Sequence, residues 1–115
     1  MLQTLTPITA AWLNLLVAGG FEIATTTMYR YTGGLTRVAP TVAFFALGIL
    51  SFYFLNRALA IIPIGTAYAA WTGMGAAGTV LIGIAVYSEP ATIMRLVLLT
   101  MLIGSIAGLK LISAD

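Results

Sequence analysis

Residues 64–87 read IGTAYAAWTGMGAAGTVLIGIAVY, a run without a single charged side chain. It is longer than the ~20 apolar residues a helix needs to cross a bilayer core of about 30 Å. Working outward, three more stretches of the same kind lie at about residues 8–30, 38–60 and 92–112. The breaks between them carry turn chemistry: Thr32-Gly33-Gly34, then Pro63 and Gly65, then Ser88-Glu89-Pro90. The stretches are too long and too uniformly apolar for the short alternating segments of a membrane β-barrel. The expected fold is an all-α membrane protein, one domain over residues 1–115 with four transmembrane helices. Short connectors make sequential helices antiparallel neighbours.

Composition agrees. Of 115 residues, 61% are hydrophobic and 7% charged, against about 25% charged in an ordinary soluble domain. The charged side chains are Glu22, Arg30, Arg37, Arg57, Glu89, Arg95, Lys110 and Asp115, too few to cover a water-facing surface. This excludes an ordinary soluble enzyme, a nucleic-acid binder and a disordered chain; a net charge of +2 is far below a nucleic-acid footprint. With no Cys and no His, thiolate and imidazole metal sites are absent, and neither a metal nor another cofactor is expected. The first stretch lacks a basic n-region and runs past the usual length of a signal-peptide core, so it reads as a span.

The basic residues sort by membrane side. Arg30, Arg37 and Arg95 lie in or beside the first and third connectors; Arg57 and Lys110 fall on the other side with both chain ends. The Lys/Arg bias that normally fixes orientation nearly vanishes. Such a chain is suited to inserting both ways, so that an up copy pairs with a down copy, giving the inverted symmetry many transporters build from internal repeats. Helices in lipid associate through small residues. The third span supplies Gly73, Gly75, Ala76, Ala77, Gly78 and Gly83, and the fourth has Gly104 and Gly108 at small-xxx-small spacing. These serve packing within one subunit or a dimer seam, and oligomerisation is the favoured reading.

One residue is out of place in lipid. Glu22 lies about two-thirds along the first span, where an ionised side chain costs at least about 2.5–3.5 kcal/mol. Every Lys and Arg sits near a helix end, so its partner has to come from outside, as a proton or a cationic substrate. Ala18, Thr25, Thr26 and Tyr29 share its helix face by spacing. Asn14, eight positions earlier, is either a second polar group on that path or an interhelical hydrogen bonder. In the third span Tyr68, Trp71, Thr72 and Gly75 recur at helical spacing, so a phenol and an indole on one face offer walls for a cation. Ser51 in the second span is a weaker polar candidate, since a buried Ser is more often bonded back to its own helix.

These residues resemble the small multidrug resistance family of bacterial four-helix exporters. The matching features are Glu22, the run from Pro63 to Gly75, Gly34-Leu35-Thr36-Arg37 after the first span, and Ala107-Gly108-Leu109-Lys110 near the end. The resemblance covers about residues 11–112. It implies an antiparallel, dual-topology dimer in the bacterial inner membrane, with Glu22 of both copies binding protons and substrate in competition. It further implies that Tyr68 and Trp71 line the site and that Ser51 lies close to the carboxylate. The third and fourth spans look most like the guanidinium-exporting subtype. The first departs from it, with Thr25 where that subtype has Trp, and Asn14 where it has an aliphatic residue. A smaller Thr25 would open the site to bulkier quaternary ammonium compounds. The expected function is proton-coupled antiport of small organic cations, guanidinium or quaternary ammonium, by a homodimer embedded in lipid. The alternatives are one subunit of a heterodimeric efflux pair, a non-transporting structural subunit, or a proton channel; for the last, the polar residues are too few to form a continuous wire. No nucleophile–base pair supports an enzyme.

Overall fold

The computed structural model describes residues 6–112; Asp115, counted above among the charges, lies outside them. The described residues form four helices: α1 (Pro7–Tyr29), α2 (Val38–Ala58), α3 (Ile64–Val86) and α4 (Ile93–Ile112). Each is long and apolar enough to cross a membrane. Local chemistry sets their ends. Thr6 caps α1, its hydroxyl accepting from the Thr9 N–H at 3.2 Å, and Pro7 occupies the first helical position, where a missing N–H costs nothing. The second helix stops short of residue 60 because the chain tightens after Ala58: Ala60 N–H reaches Arg57 O and Ile61 N–H reaches Ala58 O, the i→i+3 bonding common at helix ends. The turn after α1 takes left-handed backbone at Gly33, Gly34 and Leu35, with φ of 59°, 70° and 71°. Leu35 is the strained member; its N–H is held by the hydroxyl of fully buried Thr32 at 3.2 Å. At the start of α4 the Thr92 hydroxyl accepts from the Arg95 N–H, as an N-cap does.

The first helix is the hub. It packs most extensively on α2, then on α3, while α4 leans chiefly on α3. The buried cluster lies at the end where the chain begins: Trp12, Leu15 and Ala18 of α1 meet Leu55 and Ala58 of α2, Ile62 of the second connector, and Ala67, Ala70 and Trp71 of α3. Phe21 stacks on Phe54 at its edge, ring centroids 5.7 Å apart. The glycines of α3 set the approach of its neighbours. A Cβ on Gly73 would stand 2.9 Å from Ile106 Cδ1 of α4, and one on Gly78 would collide with Ile23 of α1. These residues therefore pack within the subunit. Gly104 and Gly108 differ, since a Cβ on either would meet nothing within 4 Å. Leu99 is the one buried residue of α4 among those described.

The opposite end is held by polar contacts. Arg30, capping α1, pairs with Glu89 of the third connector at 2.5 Å, and Arg95 approaches the other carboxylate oxygen at 3.4 Å. The Arg30 guanidinium also lies 3.9 Å from the centre of the Tyr87 ring, and Tyr87 hydrogen-bonds Tyr31. Below them, the hydroxyls of Thr26 on α1 and Thr79 on α3 hydrogen-bond at 2.6 Å. The first and third connectors thus meet at one end.

Candidate functional site

Glu22 sits on α1 one turn past Ala18, between the apolar cluster and the Thr26–Thr79 bond. It is half-buried, and its carboxylate has no hydrogen-bond or ion-pair partner among the described residues. Both salt bridges found there belong to Glu89. The side chain lies over Gly75 of α3, where an added Cβ would stand 2.8 Å from Glu22 Cγ. Glycine at 75 is thus what lets α3 come this close to the acid. The acid packs against Gly75 and has no counter-charge among the described residues.

Ser51 and Trp71 are brought together. The Trp71 indole N–H donates to Ser51 Oγ at 2.9 Å, and Ser51 Oγ–H donates to Ala18 O at 2.7 Å. Ser51 does not bond back to its own helix. It bridges α2 to α1 and α3 one turn from Glu22, fully buried. Trp71 is flanked by Tyr68 and by Phe52, ring centroids 5.5 Å and 5.2 Å away. Tyr68 itself is largely exposed, and with Phe52, Asn56 and Ile64 it lines a cavity of about 260 Å³ between α2 and α3. Aromatic walls therefore begin at Trp71 and open outward.

Thr25 is placed differently from its neighbours. It is buried against α2, with its methyl 3.7 Å from where a Cβ on Gly48 would be, and its hydroxyl donates to Phe21 O at 2.7 Å. Thr26 faces α3 through its bond to Thr79, and Tyr29 packs on Phe44. Asn14 makes no interhelical hydrogen bond among the described residues: its amide donates to Ala10 O of its own helix at 3.0 Å.

Sequence reasoning missed Phe52, Gly48, Thr79 and the Arg30–Glu89–Arg95 group. Only the last left a signal, an acid between two basic helix ends. Its first contributor is the hydrogen bond from Arg30, which with the one from Arg95 holds the Glu89 carboxyl below its usual range against some desolvation.

A family model described as small multidrug resistance protein matches residues 10–102. The chain belongs to the small multidrug resistance protein family. It is 45% identical over 103 residues to a guanidinium exporter of Proteus vulgaris, covering 90% of this chain and 99% of the relative. A guanidinium exporter of Citrobacter freundii is 41% identical over 101 residues, covering 88% and 96%. One from Salmonella typhimurium strain LT2 is 38% identical over the same length. As a small multidrug resistance protein the chain is a multi-pass transporter of the bacterial inner membrane and not an enzyme.

Proposed function

We propose that this protein exports guanidinium-class cations in exchange for protons, as an antiparallel pair of identical chains. The observation that carries the reading is the Glu22 carboxylate, deep in α1 and without a protein counter-charge among the described residues. Something must neutralise it in a low-dielectric setting. A proton does so covalently and a cation does so by pairing, so the two exclude one another. Arrival of cargo releases the proton; a proton from the far side displaces the cargo. Trp71, tethered through Ser51 to the Ala18 carbonyl, presents a fixed aromatic wall beside this exchange, with Tyr68 and Phe52 extending it. A planar guanidinium suits such faces.

The identity to proteins named guanidinium exporters supports this cargo over bulkier quaternary ammonium compounds. So does the position of Thr25, whose small side chain is taken up in the α1–α2 contact. Pairing of two chains is supported by the almost bare α4, whose Gly104 and Gly108 face open space, and by the balanced basic residues. In the antiparallel pair the inward-open and outward-open forms are alike by symmetry, so one rocking motion serves both.

The test is solid-supported-membrane electrophysiology on the purified single chain, with guanidinium, alkylguanidinium and tetraalkylammonium ions in one panel. Currents for the guanidinium ions that scale with an imposed pH gradient are expected. A chain active only when mixed with a second, different subunit would point to the heterodimeric alternative, and current without any organic cation to a channel.

A further inference from the structure

Among the described residues one hydrogen bond joins α1 directly to α3, and it lies one turn beyond Glu22. The Thr26 and Thr79 hydroxyls are 2.6 Å apart. Each also reaches a carbonyl of its own helix. Thr26 Oγ1 lies 3.2 Å from Glu22 O and 3.0 Å from Ile23 O, and Thr79 Oγ1 lies 2.7 Å from Gly75 O. Whichever hydroxyl donates across the seam, the accepting one has its own proton free for the carbonyl behind it. Two hydrogen bonds in series therefore span the helices, ending at Gly75 O in one arrangement and at Glu22 O or Ile23 O in the other. Glu22 and Gly75 are also the pair in contact at the acid. The first and third connectors meet at one end, so α1 and α3 run in the same direction. The same offset, 53 positions, relates Thr26 to Thr79 and Glu22 to Gly75.

That register matters to the acid. Along this seam α3 is smooth, with Gly75 against Glu22 and Gly78 against Ile23. Apolar packing fixes such a register weakly, because lipid tails are as apolar as a neighbouring helix. A polar pair is directional, and fixing register is the best-attested use of one. A slip of one turn, about 5.4 Å, would bring Trp71 or Thr79 opposite Glu22 in place of Gly75, and neither leaves the gap that glycine leaves. We propose that Thr26 and Thr79 are positioning residues for the Glu22 carboxylate. Their bridge sets the register of α1 against α3, and with it the distance from the acid on α1 to the aromatic wall that begins at Trp71 on α3. The inference rests on the reading of Glu22 as the cargo-binding acid and extends it to two side chains that act through that acid. Breaking the bridge is cheap in stability. With either hydroxyl removed, the other keeps the carbonyl of its own helix, so no donor is left unsatisfied.

The test compares wild type with Thr79→Val, Thr26→Val, the double valine variant, Thr79→Ser and Glu22→Gln. Guanidinium affinity would be measured by isothermal titration calorimetry in detergent, beside the thermal midpoint of each protein. Valine keeps the volume of threonine and removes the hydroxyl; serine keeps the hydroxyl and removes the methyl. Thr79→Val should bind guanidinium about fivefold more weakly, the scale of one lost intramolecular hydrogen bond, with a midpoint close to that of wild type. Thr26→Val should match it, and Thr79→Ser should bind as wild type does. The double variant should be no weaker than either single one, because all three lose the same bridge. Wild-type affinity in both single valine variants would overturn the proposal, even with a lowered midpoint, since that result describes a packing contact alone. Equal weakening by Thr79→Ser would overturn it too, as would losses that add in the double variant. Glu22→Gln separates the bridge from the reading it rests on. Binding lost in Glu22→Gln but normal in the valine variants sinks the bridge alone; binding at full strength in Glu22→Gln sinks the carboxylate site and the bridge with it.

Discussion

At the scale of single residues, the candidate site combines one acid without a hydrogen-bond or ion-pair partner among the described residues and one aromatic held by Ser51. The contrast has measurable consequences. In Gly75→Ala the new methyl would stand 2.8 Å from Glu22 Cγ, so either α3 withdraws or the carboxylate turns away. A displacement of about 1 Å near a reacting group can cost up to ~100-fold in rate, and uptake into proteoliposomes driven by a pH gradient should fall at least about tenfold. Uptake at the wild-type rate would show that the contact does not position the acid. Ser51→Ala removes the acceptor of the buried Trp71 indole and a bridge to Ala18 O. Leaving such a donor unsatisfied costs about 1–3 kcal/mol, and a lowered thermal midpoint in detergent is expected. An unchanged midpoint would mean that another acceptor replaces the hydroxyl.

At the scale of elements, the helices were legible in the sequence and their mutual faces were not. Length and hydropathy mark four spans because any ~20-residue apolar run has one stable arrangement in lipid. The same uniformity hides which side of each helix meets protein, since lipid tails and neighbouring helices are equally apolar. Ser51 illustrates this: intrahelical bonding is the default for a buried Ser, and only the close approach of α1 makes Ala18 O available. Asn14 shows the reverse: read as either a pathway group or an interhelical hydrogen bonder, it donates its amide within its own helix. Glu22 was legible because its cost does not depend on the face it occupies. Glu89 was not, because its partner Arg30 is 59 positions away. The Arg30–Glu89–Arg95 group ties the first and third connectors, and its pH response has a definite sign. The Glu89 carboxyl is held below its usual range, so the tie is intact above the ordinary carboxylate value of about 4.3. It is lost as pH falls through the lowered value. Amide exchange at residues 30–37 and 87–92 should therefore quicken, beyond the intrinsic pH effect, only in acid. In Glu89→Gln the extra protection should be absent at neutral pH as well. Equal protection in both proteins at neutral pH would remove the tie as a structural element.

At the scale of the whole molecule, a single chain leaves much of its apolar surface uncovered by its own helices. The fourth helix buries little of itself against its own subunit, and large side chains such as Ile93, Val97, Met101 and Leu111 remain exposed. Small residues at Gly104 and Gly108 let two backbones approach, and bulk there should keep them apart. Gly104→Leu with Gly108→Leu is expected to shift the purified protein from dimer to monomer in size-exclusion chromatography with light scattering, with helix content unchanged. A dimer that survives both substitutions would place the seam elsewhere. In the proposed pair two Glu22 carboxylates would share one chamber, where protons and cargo would contest the same charge. That contest is tested most directly by proton release. Guanidinium would be added to the purified protein in weakly buffered detergent solution with a pH indicator. Wild type should release protons on binding, and Glu22→Gln should release none while remaining a folded dimer. Proton release of equal size from Glu22→Gln, or guanidinium binding to wild type with no proton released at any pH, would contradict exchange at this carboxylate.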